Sequence, residues 1–225
     1  MSKEILRKIY RYNRYFKKQH ERIFDIQTGD IPVIVSAPHA VPVLKKSYQK
    51  PGESFTGALA MYFNDVLNVH SIYSLNLGRR DPNRDRKCIY KKTLLDHTLQ
   101  HNIKYVIDLH GATNSHGFAV DLGTNLSQSI DPNLVGDIIL ALNYFKVTPV
   151  TENSVFKATR SSVITNYIST LGSDVQAIQL EISKDFRDPF HQPEKFLNLI
   201  DALQTIILIM ERAANAKSRV NYQIN

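Results

Sequence analysis

Two short runs restrict this chain more than any other feature: Val33-Ile34-Val35-Ser36-Ala37-Pro38-His39-Ala40 and Tyr105-Val106-Ile107-Asp108-Leu109-His110-Gly111. Each is rich in β-branched residues, as a buried parallel strand is, and each reaches a histidine where small or turn-forming residues take over. The pattern predicts two strands with a histidine at each C-terminal end. In an open α/β sheet that edge is where ligands bind, so imidazoles delivered by two strands could meet around one metal ion.

The remaining composition narrows what such an ion can bind to. A single cysteine, Cys88, excludes an intrachain disulfide framework and a thiolate zinc finger, leaving histidine and carboxylate as ligands. At 225 residues the chain is long enough for one α/β domain with a real core. No run approaches the ~20 apolar residues of a membrane span, and basic residues interrupt the first segment too often for a signal peptide. A cytoplasmic location is therefore expected.

The net charge is +7, and most of it sits at one end. Residues 1–24 carry Lys3, Arg7, Lys8, Arg11, Arg14, Lys17, Lys18 and Arg22 against Glu4 and Glu21. In the same segment Ile5, Ile9, Tyr12, Phe16, His20 and Ile23 recur at helical spacing, which predicts one amphipathic helix over 3–24 with a basic outer face. The expected organisation is this helix at 1–24, packed on or appended to a domain formed by 25–225.

Further along, strands are expected at 33–36, 71–75, 117–123 and 175–182. Helices are expected from about 54 or 56, over 86–101, from Pro132, over 161–171 and from Pro193 to about 214. The segment 78–85 is highly charged and is expected to be an exposed loop. Alternating strands and helices of this kind predict a three-layer α/β/α domain around a mostly parallel sheet.

A hydrolytic zinc ion commonly takes three protein ligands and keeps one position for water. Beside His39 and His110, the third ligand is open among Glu53, Asp81, Asp85 and His116. Glu53 stands at a helix entrance soon after the first ligand loop. Asp108 lies two positions before His110, on the same side of the strand, where it can orient that ring. Glu181 ends an otherwise apolar strand and is a candidate base for a metal-activated water. Arg79, Arg80, Arg84, Arg160 and Arg187 are available to hold a substrate carboxylate or an oxyanion.

The order of these pieces carries a resemblance. Ser36-Ala37-Pro38-His39-Ala40-Val41, Glu53-x-x-Thr56-Gly57-x-Leu59-Ala60, Asp81-x-Asn83-x-Asp85, Asp108-Leu109-His110-Gly111 and Gln179-Leu180-Glu181-Ile182 together resemble the N-formylglutamate amidohydrolase family. Its fold is similar to that of the zinc carboxypeptidases. The resemblance spans about 31–187 and implies one zinc ion held by His39, Glu53 and His110, with Glu181 as general base. Asn83 and Arg84 fall in a segment similar to the family's substrate-contacting region, and Arg187 follows the last glutamate as in some members. The first motif reads Pro-His-Ala-Val where the best-known deformylases have a Pro-His-Ser-Gly type loop, which places the chain in a divergent branch.

The resulting expectation is a zinc-dependent hydrolase of an amide in an N-acyl amino acid, for example an N-formyl one, or in a small modified peptide. Substrate contacts are expected from Asn83, Arg84, Arg160 and Arg187. Two other readings stand beside it: a binding module whose basic helix meets nucleic acid or an anionic surface, and a metal-binding relative without activity.

Overall fold

The computed structural model describes residues 2–44, 49–76, 80–172 and 174–222. The chain opens with helix α1 (Ser2–Tyr15), followed by strands β1 (Phe24–Gln27) and β2 (Ile31–Ala37) and a small antiparallel hairpin of β3 (Val43–Leu44) and β4 (Gln49–Lys50). Helix α2 (Thr56–Leu67), strand β5 (Val69–Ser74), helix α3 (Ile89–Gln100) and strand β6 (Tyr105–Ala112) come next. The second half runs β7 (Val120–Gly123), α4 (Pro132–Tyr144), β8 (Val150–Glu152), α5 (Ile164–Leu171), β9 (Gln176–Ser183) and α6 (Pro193–Tyr222).

Seven strands form one sheet in the order β1-β5-β2-β6-β9-β7-β8. The pairs from β5 through β2 and β6 to β9 are parallel, as is β7 with β8, while β1 and β7 join their neighbours antiparallel. Strand β2 leads through α2 to β5 on one side, and β5 returns through α3 to β6 on the other. The strand order thus reverses between β2 and β6, and a crevice opens above the strand C-termini at such a point.

Helices α1, α2, α4 and α6 pack their apolar residues on one face of the sheet, and α3 with α5 cover the other. Helix α2 shows why: Ala58, Leu59, Tyr62 and Phe63 fall on one stripe and are buried, each large side chain contributing roughly 1.5–3 kcal/mol. The face under α3 and α5 changes character along the strands. Ile34, Val106 and Ala177 form an apolar row, Ser36, Asp108 and Gln179 form the next paired row, and His110, Glu181 and Asp121 form the row at the C-terminal edge. Buried polar side chains are thereby collected at one end of one face.

Two expectations are corrected. The first helix ends at Tyr15 instead of 24: the His20 ring reaches back to the Tyr15 carbonyl at 2.8 Å, and the chain turns to build β1, an edge strand that helical periodicity concealed. Residues 80–85 are not all exposed, because Asp81 and Pro82 are buried against the sheet edge. The other expected strands and helices form with shifted ends. Among the described residues no helix is long and apolar enough to cross a membrane.

Candidate active site

His110 lies inside β6 and His39 two residues beyond β2, so neighbouring parallel strands bring both rings to the same edge. Their centroids are 4.9 Å apart. Glu53 joins them from the turn before α2, where its amide donates to the His39 carbonyl at 2.7 Å and its carbonyl accepts from the Thr56 hydroxyl at 2.8 Å. One Glu53 oxygen lies 2.9 Å from His39 Nδ1 and the other 3.2 Å from His110 Nδ1. Candidate ligand atoms of these three buried residues all lie within 4.8 Å of one another.

The far nitrogens of both rings also face carboxylates. His39 Nε2 donates to Asp81 Oδ1 at 2.8 Å, and His110 Nε2 donates to Asp108 Oδ2 at 2.9 Å. Each Nδ1 is consequently the atom turned toward Glu53, the arrangement in which carboxylates orient metal-binding imidazoles. Ser36 Oγ donates to the other Asp108 oxygen at 2.8 Å, and the Asn83 amide donates to Asp81 at 3.0 Å. Asp81, an open alternative as third ligand, is therefore an orienting partner of His39.

Opposite charges hold one another in the cluster. Burial opposes charging His110, but Asp108 and Glu53 overcome it and hold the ring well above its ordinary pKa. His39 is raised too, burial being outweighed by Glu53 and Asp81. Burial likewise opposes the Glu53 charge, and His39 with His110 hold that carboxyl well below its usual range. A buried carboxylate without such partners would cost several kcal/mol. Lys50 adds a further positive group from the β3–β4 hairpin: its Nζ lies 3.0 Å from Glu53 Oε1 and 3.1 Å from His39 Nδ1.

Glu181 pairs with His110 across β6 and β9 and is 6% exposed. Burial pushes its carboxyl up to about 7; His110 pulls against this and Glu53 adds to it. Gln179, two residues earlier on the same face, donates to Glu181 at 2.8 Å, while its own Oε1 is buried without a partner among the described residues. Asp121 stands opposite Glu181 on β7 and accepts from the amides of Ser154, Val155 and Phe156, which fixes the loop beside the site.

The other expected site residues are distributed differently. Asn83 accepts from the Ile164 amide at 2.8 Å and so starts α5. Arg84 and Arg160 are exposed and stand in the two segments which that bond joins. Arg187 is buried, and its guanidinium donates to the carbonyls of Ile182, Ser54 and Ala112 at 2.9, 2.7 and 3.2 Å. It ties β6 and β9 to the turn that carries Glu53, and a Cβ on Gly111 would fall 2.4 Å from its Cζ. Asp85 accepts from the Asp81 amide, and His116 is exposed and stacks beside Phe118 and Phe156. Arg80 donates to the Lys87 carbonyl, and Arg79 lies outside the described residues. Sequence reasoning missed Lys50, Gln179 and the orienting role of Asp81. The signal available for Asp81 was its place ahead of a polar turn just after a buried strand.

The sequence matches no family model and no curated protein. Solved structures do match. N-formylglutamate amidohydrolase from Ralstonia eutropha superposes with a TM-score of 0.63 at 13% identity, over 87% of this chain and 98% of that one. A bacteriophage poly-γ-glutamate hydrolase gives 0.54 at 16% identity, over 93% and 94%. The gene product Atu2144 of Agrobacterium tumefaciens gives 0.54 at 11%, over 86% and 98%. The sequence resemblance and the superposition agree: the chain has the fold of N-formylglutamate amidohydrolase, at low sequence identity.

Proposed function

We propose that the protein is a zinc-dependent hydrolase that cleaves an amide bond in an N-acyl amino acid or a small acidic peptide. The observation that carries this reading is the turning of both Nδ1 atoms toward Glu53 while Asp81 and Asp108 hold the opposite nitrogens. The donor set of two imidazoles and one carboxylate suits zinc, and the fold shared with two amide-bond hydrolases supports the same chemistry.

His39 Nδ1, Glu53 and His110 Nδ1 would hold the ion. Bound there, a divalent ion supplies Lewis acidity to a carbonyl and to a water. Glu181, buried and raised to about 7, takes the proton of the attacking water and delivers it to the leaving nitrogen, for which a pKa near the working pH is favourable. Gln179 holds the Glu181 carboxylate in place during both transfers. Lys50 would move off Glu53 and His39 when an ion takes those atoms. Arg84 and Arg160 bind the substrate carboxylate, with Asn83 fixing the segment between them. Arg187 acts by holding the Glu53 turn.

Protein loaded with one equivalent of zinc is expected to release glutamate from N-formylglutamate or from a γ-glutamyl peptide, and to lose that activity on chelation. Full turnover by metal-free protein would overturn the reading.

A further inference from the structure

Tyr90, the second residue of α3, is not used by the chemistry above, yet its hydroxyl reaches the buried polar side chains beneath the candidate site. Its ring meets Phe24 edge-on at 5.5 Å. The hydroxyl donates to the Ile72 carbonyl on β5 at 3.0 Å and lies 3.1 Å from Ser36 Oγ on β2. Ser36 Oγ donates to Asp108 Oδ1 at 2.8 Å, and the other Asp108 oxygen accepts from His110 Nε2 at 2.9 Å. Four side chains from α3, β2 and β6 are thus joined in series, and none of them is more than 1% exposed.

The protons give this line a direction. A carboxylate offers only lone pairs, so the Ser36 proton is committed to Asp108 and Ser36 Oγ faces Tyr90 as an acceptor. Tyr90 carries one proton for two acceptors, the Ile72 carbonyl and Ser36 Oγ, at nearly equal distances. Burial pushes the Tyr90 hydroxyl well above its ordinary pKa, so that proton stays in place. A donor behind Ser36 polarises its hydroxyl toward Asp108, and in a low-dielectric interior each link strengthens the next. Strand register supports the same geometry: Ser36 is paired with Asp108 on one side and with Ile72 on the other, which sets the three groups in one row across β5, β2 and β6.

We infer that Tyr90 is a positioning residue for the proposed metal ligand His110, acting through Ser36 and Asp108, so that α3 helps set how tightly the site holds its ion. The inference rests on the reading of His39, Glu53 and His110 as metal ligands and adds to it a residue from another element. A carboxylate held in place fixes the imidazole ring and raises the basicity of the nitrogen that faces the ion, here His110 Nδ1. A tyrosine that only fastened α3 to the sheet would be satisfied by the Ile72 carbonyl. Loss of its hydroxyl would then be felt in folding stability and not at the metal.

The test uses full-length protein stripped of metal and titrated with zinc, with affinity read by competition with a chelating dye. Tyr90→Phe keeps the ring and removes only the hydroxyl; it is expected to weaken zinc binding by about threefold, and Ser36→Ala, one link closer, by about tenfold. The two changes together are expected to cost no more than Ser36→Ala alone, because the Tyr90 hydroxyl acts through Ser36. In zinc-loaded protein the Nε2 proton of His110, observed by nitrogen–proton correlation spectroscopy, is expected to shift in Tyr90→Phe while that of His39 stays in place. Equal zinc affinity for Tyr90→Phe and the parent would overturn the inference, whether or not the melting temperature falls. So would an undiminished further loss from Tyr90→Phe in the Ser36→Ala background. Turnover of acylated amino acids is read separately: zinc affinity that depends on Tyr90 in a protein without turnover keeps the inference and removes the hydrolase reading.

Discussion

His110 and Glu181 occupy directly paired positions on adjacent parallel strands, so their side chains rise from the same face of the sheet one strand apart. The pairing sets the proposed proton carrier beside a proposed metal ligand through backbone register alone. Glu181→Gln keeps the size and the hydrogen bond from Gln179 but cannot take a proton. It is expected to lower kcat by about 10²–10⁴-fold while zinc stoichiometry stays at one per chain. Loss of the metal along with the activity would place Glu181 among the ligands instead.

The raised Glu181 carboxyl also predicts how stability depends on pH. Its folded pKa is about 7 against an ordinary 4.5, so between those values the folded protein binds more protons than the unfolded chain. The group's relative contribution is fully favourable below about 4.5 and is lost as pH rises through 7, up to roughly 3 kcal/mol. Metal-free Glu181→Gln is therefore expected to gain melting temperature over the parent at pH 8 and to show little gain at pH 5. Paired denaturation curves at the two pH values read the difference directly.

Asp81 and Asp108 hold the far nitrogens of the two histidines, at 2.8 and 2.9 Å. Replacing either by asparagine preserves the shape but weakens the charge that orients the ring. Each substitution is expected to reduce zinc affinity by about 10–100-fold, measured by competition with a chelating dye. If Asp81→Asn binds as tightly as the parent, its contact with His39 has no part in the site.

Gly111 and Gly136 should respond oppositely to alanine. At Gly111 a methyl group would meet an Arg187 guanidinium pinned by three carbonyls, and the overpacking is expected to cost about 1–3 kcal/mol. At Gly136, inside α4, a Cβ meets nothing within 4 Å, so Gly136→Ala should stabilise by about 0.5–1 kcal/mol. Urea denaturation of the two variants separates these signs.

The layered fold was legible because its central strands are β-branched runs ending in small residues, and β2, β6 and β9 are all of that type. His39, His110 and Glu181 were legible as residues at strand ends, which sequence spacing reveals. Asp81 was not, since a charged turn looks like solvent-exposed loop until the His39 ring is seen bonded to it. Arg187 misled in the opposite direction: an arginine after a site glutamate looks available for substrate, yet its donors go to backbone carbonyls that β6, β9 and the Glu53 turn present together. Such contacts join segments more than 70 residues apart in the chain, and no local pattern encodes them.

The central claim is tested most directly by metal binding itself. Purified protein stripped and then titrated with zinc is expected to bind one equivalent, with His39→Ala and Glu53→Gln each weakening that binding by at least a hundredfold while the circular dichroism spectrum is retained. Zinc binding unchanged by both substitutions, or absent in the parent at micromolar zinc, would contradict the account.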